Sequence, residues 1–452
     1  MKGYTIVVRP MVVVRTLTLV LALVLGTALA AAPADAQNER PAGLTAEALI
    51  ETARAALAEG KPDEAAFLLD GLRPGEGDID DVDFLRGSIA LQKGEWQAAI
   101  ARFRAMLTRN PELLRVRLDL GLAYFNAEED SSAAYHFRQA LGAEELPPEA
   151  RARALAFLDL IRRRKTWSVT GSLALAPDTN INNATSARLV ELFGLPAQLS
   201  EDARETSGIG LNTNIGGGYE ARISPDLRFR TSASLQTRTY EESAFNDRTL
   251  SLRAGPRFLF ERFDLRPELT ARGRELGAST YSRSAGLALS SDWLVAPAWR
   301  LSGSVAGERV FYEGFLGDGS LYAATLGLAH ALNQATLLRA DTSFRREQVE
   351  RDAYSWREYV VGLSASRELP EGFVVTAGPS YRWRAYDGVL ASLSRVPRED
   401  ETFAGRITVS NRHISLFGFM PEVTVRYEER DSNVDLYDYD RVVADIGIVR
   451  TF

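Results

Sequence analysis

The chain has 452 residues, which is more than one domain usually contains and predicts two or three domains. Its 60 acidic and 53 basic residues give a formal net charge of -7, which argues against nucleic acid as the main partner. The sequence has no cysteine, which excludes disulfides, thiolate metal sites, a cysteine nucleophile and a lipid attached to an N-terminal cysteine.

The N-terminal segment has the pattern of a secretory signal peptide. Three cationic residues precede an apolar run over residues 17–29, and Ala34-Asp35-Ala36 forms a small-x-small cleavage site. The run is shorter than the ~20 apolar residues that a membrane-spanning helix needs. We therefore expect residues 1–36 to be removed and the rest of the chain to be exported.

Residues 37–164 are predicted to form a helical domain built from a repeat. Gly87 and Gly121 are 34 residues apart, and Phe103 and Phe137 share that spacing. Small residues at repeated positions let two helices approach closely, and the aromatic ring fills the groove between successive hairpins. The period resembles that of the tetratricopeptide repeat, whose arrays present a concave binding surface. A partner-binding module is the favoured role, and a spacer or a plug for a neighbouring pore is the alternative.

From Trp167 onward the period changes to two, which is typical of strands. Over residues 227–240 apolar side chains alternate with arginines and small polar residues, and residues 265–274, 373–385 and 421–428 show the same pattern. Each run is about the 9–11 residues that a tilted membrane strand needs. Short turns alternate with longer polar loops, and the strands number about 14, an even number as bacterial barrels require. A soluble β-sandwich or solenoid is the alternative, but strands in lipid must close on themselves.

The predicted fold is therefore α + β and multidomain. An N-terminal α-helical, tetratricopeptide-like array over residues 37–164 precedes an antiparallel transmembrane β-barrel of about 14 strands over residues 165–452. The last residue, Phe452, matches the C-terminal aromatic signal recognised by the barrel assembly machinery. We expect an outer-membrane location, with the repeat domain and Phe452 on the periplasmic side. The expected partners include the assembly machinery and outer-membrane lipids, and the protein is expected to be a monomer in the membrane.

The ionisable face of the strands is predicted to line the barrel lumen. Side chains of both signs occur there and can pair, which avoids the cost of an unpaired buried charge. The predicted lumen-facing residues are Arg228, Arg230, Arg238, Arg266, Glu268, Arg272, Arg274, Arg382, Arg384, Glu422 and Arg426.

The first long connection, residues 177–207, opens with an unusual density of Asp and Asn. Asp178, Asn180, Asn182 and Asn183 are turn formers whose side chains bond to nearby backbone. Their oxygens are also potential Ca²⁺ ligands, but the spacing lacks the glycine and terminal glutamate of a known calcium loop. A structural turn is favoured over a metal site. The three histidines lie far apart in the sequence, and we expect neither a bound metal nor a cofactor.

The A-P-D-T-N-I-N-N-A segment over residues 176–184 carries a more specific resemblance. Together with the signal peptide, the short repeat array and the barrel, it resembles the surface lipoprotein assembly modifier (Slam) family, over about residues 46–452. The resemblance implies a 14-stranded barrel in a protein that moves a partner protein across the outer membrane. The implied cargo is a surface lipoprotein or a related secreted effector. The resemblance assigns no residue to cargo contact.

Three functions follow as hypotheses, in order of preference. The first is an outer-membrane translocator that recruits a periplasmic cargo protein with its helical repeats and assists its export to the cell surface. The second is an outer-membrane channel or polysaccharide exporter with a repeat domain. The third, an enzyme, has the least support, because no Ser/His/Asp or His/carboxylate constellation is recognisable and no catalytic residue is predicted.

Overall fold

The computed structural model describes residues 44–451, except residues 144, 165, 193, 194, 315, 413 and 415–418. The predicted signal peptide, residues 1–36, lies outside the described residues. The predicted assembly signal, Phe452, also lies outside them. Both therefore stay predictions.

Seven α-helices occupy the N-terminal part of the described chain, in the segment where Ala, Leu and Glu favour helix. The Thr45 hydroxyl caps the first helix by accepting a 3.2 Å hydrogen bond from the backbone N–H of Ala48. Gly94 follows the third helix with a φ of 77°, the left-handed conformation that glycine adopts without strain. The helices are α1 (Ala46–Ala58), α2 (Pro62–Asp70), α3 (Ile79–Lys93), α4 (Trp96–Arg109), α5 (Leu114–Asn126), α6 (Asp130–Ala140) and α7 (Pro148–Arg164).

The residues that recur in the sequence also recur in the packing. A Cβ atom on Gly87 of α3 would come within 2.6 Å of the Phe103 ring of α4, and one on Gly121 of α5 within 2.9 Å of the Phe137 ring of α6. Both rings are buried, at 0% and 2% exposure. The period of the sequence therefore corresponds to a repeated helix–helix contact in which a glycine lies directly against an aromatic ring. Assignment of these helices to the tetratricopeptide repeat stays a prediction.

A closed barrel of fourteen antiparallel strands follows the helices, and this confirms the predicted fold class. Each strand pairs with its neighbours in chain order, and β1 pairs with both β4 and β16 to close the barrel. A separate hairpin, β2 (Leu189–Leu192) and β3 (Leu195–Gln198), lies within the first long loop. The barrel strands are β1 (Trp167–Asp178), β4 (Gly208–Arg222), β5 (Leu227–Tyr240), β6 (Asp247–Leu259), β7 (Asp264–Leu276), β8 (Ser279–Ala296), β9 (Trp299–Tyr312), β10 (Gly319–Asn333), β11 (Thr336–Val349), β12 (Trp356–Glu368), β13 (Phe373–Tyr386), β14 (Glu399–Asn411), β15 (Met420–Ser432) and β16 (Tyr439–Thr451).

Alternate side chains along each strand face opposite sides of the barrel wall, as the pleat requires. Leu235 on β5 and Ile446 on β16 are large apolar residues that are 39% and 53% exposed. Arg228 on β5, by contrast, is 1% exposed. An apolar outer surface around a charged interior is the inverse of a soluble sandwich, and it suits a barrel surrounded by lipid. None of the helices in the described ranges is long and apolar enough to cross a membrane.

The two mouths of the barrel differ in their connections. Residues 223–226, 260–263, 297–298, 334–335 and 369–372 form short turns at one mouth, which we call the helix-side mouth. Most connections at the opposite, loop-side mouth are longer, as the sequence predicts. The exception there is the two-residue turn between β7 and β8, where Gly277 has a φ of 62°. A left-handed glycine allows such a tight turn without a long loop.

Candidate functional site

The helical region lies across the helix-side mouth and is held there by a buried ion pair. Arg117 of α5 donates a 2.9 Å hydrogen bond to Glu368 Oε2 at the end of β12. The two side chains are 0% and 7% exposed. The Tyr135 hydroxyl of α6 donates to the same carboxylate oxygen at 3.2 Å. Because both charges are buried, each depends on the other for compensation.

Further contacts attach the helices to other turns and strand ends of the helix-side mouth. Arg163 at the end of α7 bonds Asp226 in the β4–β5 turn at 3.0 Å. The Gln334 amide of the β10–β11 turn donates a 2.8 Å hydrogen bond to the backbone oxygen of Glu112. A Cβ on Gly142 would lie 2.8 Å from the Cβ of Ala331, so the segment after α6 rests directly on the end of β10. These contacts span turns on opposite sides of the mouth, so the helices cover it.

A buried histidine lies beside this junction. The His136 ring stacks on Tyr124 at 5.5 Å and meets Tyr135 edge-on at 5.2 Å. Burial lowers the pKa of His136 well below its usual value, and the positive charges of Arg117, Arg412 and Arg104 lower it further. His136 is therefore neutral near pH 7.

Several predicted lumen residues converge on a few carboxylates. Glu358 on β12 is 2% exposed. It accepts a 3.1 Å hydrogen bond from Arg384 Nε and lies 3.6 Å from Arg382 Nε. Glu268 on β7 is 3% exposed and lies 3.5 Å from Arg230. Carboxylates shared between guanidinium groups on neighbouring strands link those strands across the lumen wall.

Most of the other predicted residues also have partners, on the same strand or one or two strands away. Arg266 bonds Asp264 at 3.1 Å and Asp292 at 2.8 Å. The remaining pairs, by nitrogen–oxygen distance, are Arg228 with Glu220 (3.6 Å), Arg238 with Asn212 (3.2 Å), Arg272 with Glu308 (4.0 Å), Arg274 with Asp247 (2.8 Å) and Arg426 with Asp445 (3.8 Å). Glu422 lines a polar cavity of about 650 Å³ together with Arg426 and Arg406. Most of the predicted lumen residues thus form a network of paired charges along the barrel wall.

The acceptors of this network were missed at the sequence level. Glu220, Asp264 and Glu358 each bind two or more arginines, yet none was singled out from the sequence. Alternation along the strands could have identified these carboxylates as inward-facing, because each lies an even number of residues from another inward-facing residue of its strand. Their partners, however, sit on other strands, so the pairing depends on strand register.

The Asp/Asn-rich loop forms a second cluster, where the last strand meets the first. The Asp178 side chain, at the end of β1, is fully buried. Both of its oxygens accept hydrogen bonds from Arg441 of β16, with the Nε bond at 2.9 Å. The Tyr240 hydroxyl of β5 donates at 2.8 Å and the backbone N–H of Asn180 at 3.0 Å. We call Asp178, Arg441, Tyr240, Asn180 and Asn183 the seam clasp.

The three asparagines have separate roles around this carboxylate. Asn180 donates from Nδ2 to the backbone oxygens of Ala184 at 2.8 Å and Asp440 at 3.2 Å, which ties the loop to β16. Asn182 bonds the returning end of the same loop, through the Arg204 oxygen at 2.7 Å. Asn183 has a φ of 52° and accepts from Arg441 at 2.7 Å. Within the described residues no cluster of three or more acidic or histidine side chains is placed to hold a metal ion.

The clasp lies next to an interruption in the pairing of β1 with β16. Paired residues run from Thr170–Thr451 to Leu175–Ile446 and resume at Asp178–Val443. Ala176 and Pro177 lie between them and pair with β4 on the other side. Proline has no N–H to donate to a ladder. The polar bonds of the clasp therefore reinforce the contact of the two strands beside this interruption, where backbone pairing resumes with the 3.1 Å bond from Thr179 N–H to the Val442 oxygen.

Comparison with known proteins agrees with this architecture. The sequence profile of the surface lipoprotein assembly modifier family matches residues 167–452. The chain is 23% identical to the surface lipoprotein assembly modifier of Pasteurella multocida, over 80% of this chain and 75% of that protein. It is 22% identical to surface lipoprotein assembly modifier 1 of Neisseria meningitidis, over 82% and 75% of the two chains. It is also 23% identical to the hemophilin secretion modulator of Acinetobacter baumannii, over 80% and 76%.

The matched segment begins at the first residue of β1 and includes all fourteen strands of the barrel. A closed barrel with an apolar exterior satisfies every backbone hydrogen bond internally, which is what a lipid environment demands. The family and the closed barrel together confirm the predicted outer-membrane location. The chain belongs to the surface lipoprotein assembly modifier family.

Proposed function

We propose that this protein is an outer-membrane translocator that recruits a periplasmic cargo protein with its helices and assists the export of that cargo to the cell surface. The observation that carries the proposal is the position of the helices across one mouth of the barrel, held by the Arg117–Glu368 pair. A polypeptide approaching that mouth meets the helices first. The relatives are named for assembly of surface lipoproteins and, in one case, for secretion of hemophilin, so the proposed cargo is a lipoprotein or a secreted protein.

The proposal includes the orientation of the chain and its partners. The helices, predicted over residues 37–164, face the periplasm, and the barrel, predicted over residues 165–452, spans the outer membrane. A signal peptide over residues 1–36 directs export, and the barrel assembly machinery inserts a monomeric barrel into the outer-membrane lipids. The protein has no catalytic role and needs no cofactor.

The route of the cargo is constrained by the lumen. Barrel diameter grows with strand number, and fourteen strands enclose a lumen whose wall carries inward-facing arginine–carboxylate pairs. A folded domain does not fit past these pairs. The cargo therefore passes as an unfolded chain, or along an opened β1–β16 seam where the backbone ladder is interrupted.

The test compares surface display of an epitope-tagged cargo lipoprotein in cells that carry either the whole protein or a variant lacking residues 44–164. Protease treatment of intact cells measures the surface fraction. We expect the deletion to abolish display while the barrel still reaches the outer membrane. Unchanged display would contradict the recruitment role.

A photo-crosslinking amino acid locates the contact without deleting a domain. Phe67 on α2 is 51% exposed and suits this purpose, whereas Arg188 in the first loop of the opposite mouth serves as the matched control. We expect crosslinks to cargo from position 67 and none from position 188 before export is complete. Crosslinks from position 188 alone would place the first contact outside the cell and contradict the proposal.

The conductance of the purified protein distinguishes the proposed translocator from the alternative, a channel or polysaccharide exporter. An anionic glycan would use unpaired arginines along an open lumen, but the predicted lumen arginines have partners within the described residues. We expect the purified protein to show little steady conductance in planar bilayers. A large, stable open current would favour the alternative.

A further inference from the structure

A partly open cavity of about 800 Å³ lies between the helices and the lumen at the helix-side mouth. Its walls come from α6 and α7 on one side and from β1 and β4–β11 on the other. Cavities of this size are typical of ligand sites. We call this cavity the vestibule.

The vestibule is positively charged. Eight arginines and five carboxylates line it. Most of the carboxylates are already neutralised: Asp264 binds Arg257 at 2.6 Å, and Asp159 binds Arg162 at 2.6 Å. Arg163 and Arg230 also reach carboxylates outside the lining, Asp226 at 3.0 Å and Glu268 at 3.5 Å, so the chain balances the excess of arginine only in part.

Within the described part of the chain, three of these arginines form no ion pair with a carboxylate: Arg138 on α6, Arg262 in the β6–β7 turn and Arg339 on β11. Arg300 of β9 lies 3.9 Å from Asp292, which is also bound by Arg266 at 2.8 Å. Burial lowers the pKa of Arg138 to about 10, the charge of Arg300 lowers it further, and the charge of Asp292 raises it. Two like charges, one from the helices and one from the barrel, thus face each other across the vestibule.

The strand register fixes the spacing of the barrel arginines. Ala329 on β10 pairs with Arg300 on one side and with Arg339 on the other. The two arginines therefore flank a small residue, about 10 Å apart across two strand spacings. Arg138 is close enough to Arg300 for their charges to interact, so the three arginines line one common part of the vestibule. Guanidinium groups recognise carboxylates through paired hydrogen bonds.

The side of the wall on which these arginines lie indicates the kind of ligand. Arg300 and Arg339 share the inward-facing row with Ala329, whereas Leu338, the next residue, is 37% exposed on the outer face. Lipid reaches the outer face of the barrel, and only a ligand that enters the mouth reaches the vestibule. The leucines of α7, Leu155 and Leu158, add an apolar wall suited to side chains between the acidic ones.

We propose that the vestibule binds an acidic, extended segment of polypeptide, with Arg138, Arg300 and Arg339 as the carboxylate-binding residues. The inference rests on the proposed function in one respect, namely that a polypeptide enters from the helix side. It goes further by naming the place and the chemistry of the first contact with the barrel.

Peptide binding to the whole protein in neutral detergent micelles tests the inference. The probe is a short fluorescein-labelled peptide of alternating Asp and Ser, and its match has Asn in place of Asp. Fluorescence anisotropy measures Kd at low and high salt. We expect the acidic peptide to bind and the Asn peptide to bind at least about tenfold more weakly. High salt is expected to raise the Kd of the acidic peptide.

The double variant R138Q/R339Q is expected to raise the Kd of the acidic peptide by about tenfold or more. The control R188Q/R395Q removes the same charge from exposed loops at the opposite mouth and is expected to bind as the unmodified protein does. Heat-modifiable migration on gels verifies that both variants remain folded barrels. Equal loss in both variants, or no loss in R138Q/R339Q, would overturn the inference.

Two competitors separate the polypeptide from other anions. Micellar phosphatidylglycerol or inorganic phosphate, at the same concentration of charge, is expected not to displace the peptide. Displacement by either would overturn the assignment to a polypeptide.

Surface display in cells separates the failure of this inference from failure of the proposed function. If R138Q/R339Q loses peptide binding yet displays cargo normally, the vestibule is not on the cargo route and the translocator function stands. If the unmodified protein displays no cargo while the peptide still binds as expected, the proposed function fails and the vestibule stands as a peptide site.

Discussion

Asp178 and Arg441 form an ion pair at the point where the first and last strands of the barrel meet. Ala176 and Pro177 interrupt the β1–β16 ladder just before it. The side-chain pair therefore adds to the backbone pairing that resumes at Asp178 and Val443. Because Asp178 is fully buried, loss of its cation leaves an uncompensated charge, which costs more than the pair itself contributes.

The variant R441A is expected to destabilise the barrel by about 3 kcal/mol, because it leaves Asp178 buried without a cation. The urea midpoint of barrel unfolding in micelles measures the loss. D178N/R441A removes the charge as well and should recover part of it. R248A, at an exposed pair with Glu275 on the outer surface, is the control and should change little. A neutral effect of R441A would show that the clasp contributes no stability.

At the scale of the helical pair, Gly121 sets how closely α5 and α6 approach. G121A places a methyl group within 2.9 Å of the buried Phe137 ring. Overpacking costs about 1–3 kcal/mol, which exceeds the gain of about 1 kcal/mol from the better helix former. We expect net destabilisation of the helices, measured by thermal circular dichroism of the whole protein. The pair G121A/F137L should be less destabilised than the sum of the single variants, and strict additivity would contradict the packing argument.

Acid is expected to weaken the helices through His136. Its pKa lies well below the usual value in the folded protein, so it stays neutral there while the unfolded chain takes up a proton below about pH 6.5. Its contribution is complete above that pH and is lost as pH falls toward the folded pKa. H136Q should flatten this part of the pH profile of helix melting. If H136Q lost as much helix stability at low pH as the unmodified protein does, the loss would not come from His136.

Asp119 on α5 acts in the opposite direction. Burial raises its pKa to about 6, against the weaker effects of Arg115 and Arg153. The folded state therefore binds the proton more tightly, and the helices lose stability as pH rises from about 4 to 6. D119N should raise the melting temperature at pH 7 and leave it nearly unchanged at pH 4. A stabilisation equal at both pH values would have another cause.

The whole molecule combines a covered mouth with a lumen of paired charges. The helices rest on the barrel through Arg117–Glu368 and through the close approach of Gly142 to Ala331. A cargo that enters the lumen from this side must pass the helices, whereas one that uses the β1–β16 seam need not. The two routes therefore differ in whether the helices must move.

A disulfide can distinguish the routes, since the chain has no cysteine of its own. The Cβ of residue 142 would lie 2.8 Å from that of Ala331 and within 3.0 Å of the backbone oxygens of Asn333 and Ala331, so the segment after α6 must move outward by about 1 Å to reach the ~3.8 Å typical of a disulfide. We expect G142C/A331C to crosslink on oxidation and to block surface display reversibly, with reductant restoring it. The single variants serve as controls. Display that persists in the crosslinked protein would show that the helices need not leave the mouth.

Much of the architecture follows from local patterns in the sequence. The 34-residue spacing of Gly87 and Gly121 corresponds to a repeated contact with Phe103 and Phe137. Alternation with a period of two predicts strands, and the count of fourteen agrees with the closed barrel. These features are accessible because helix and strand periods depend only on residues a few positions apart.

The tertiary structure decided which residues meet across long stretches of chain. Asp178 and Arg441 are 263 residues apart, and Arg117 and Glu368 are 251 apart. The Asp/Asn loop was recognisable from the sequence as a turn, but its role as a clasp follows only when β16 closes against β1. The vestibule likewise exists only because α6 stands over the row of Arg300, Ala329 and Arg339. Such pairings depend on barrel closure and strand register, which a local period does not specify.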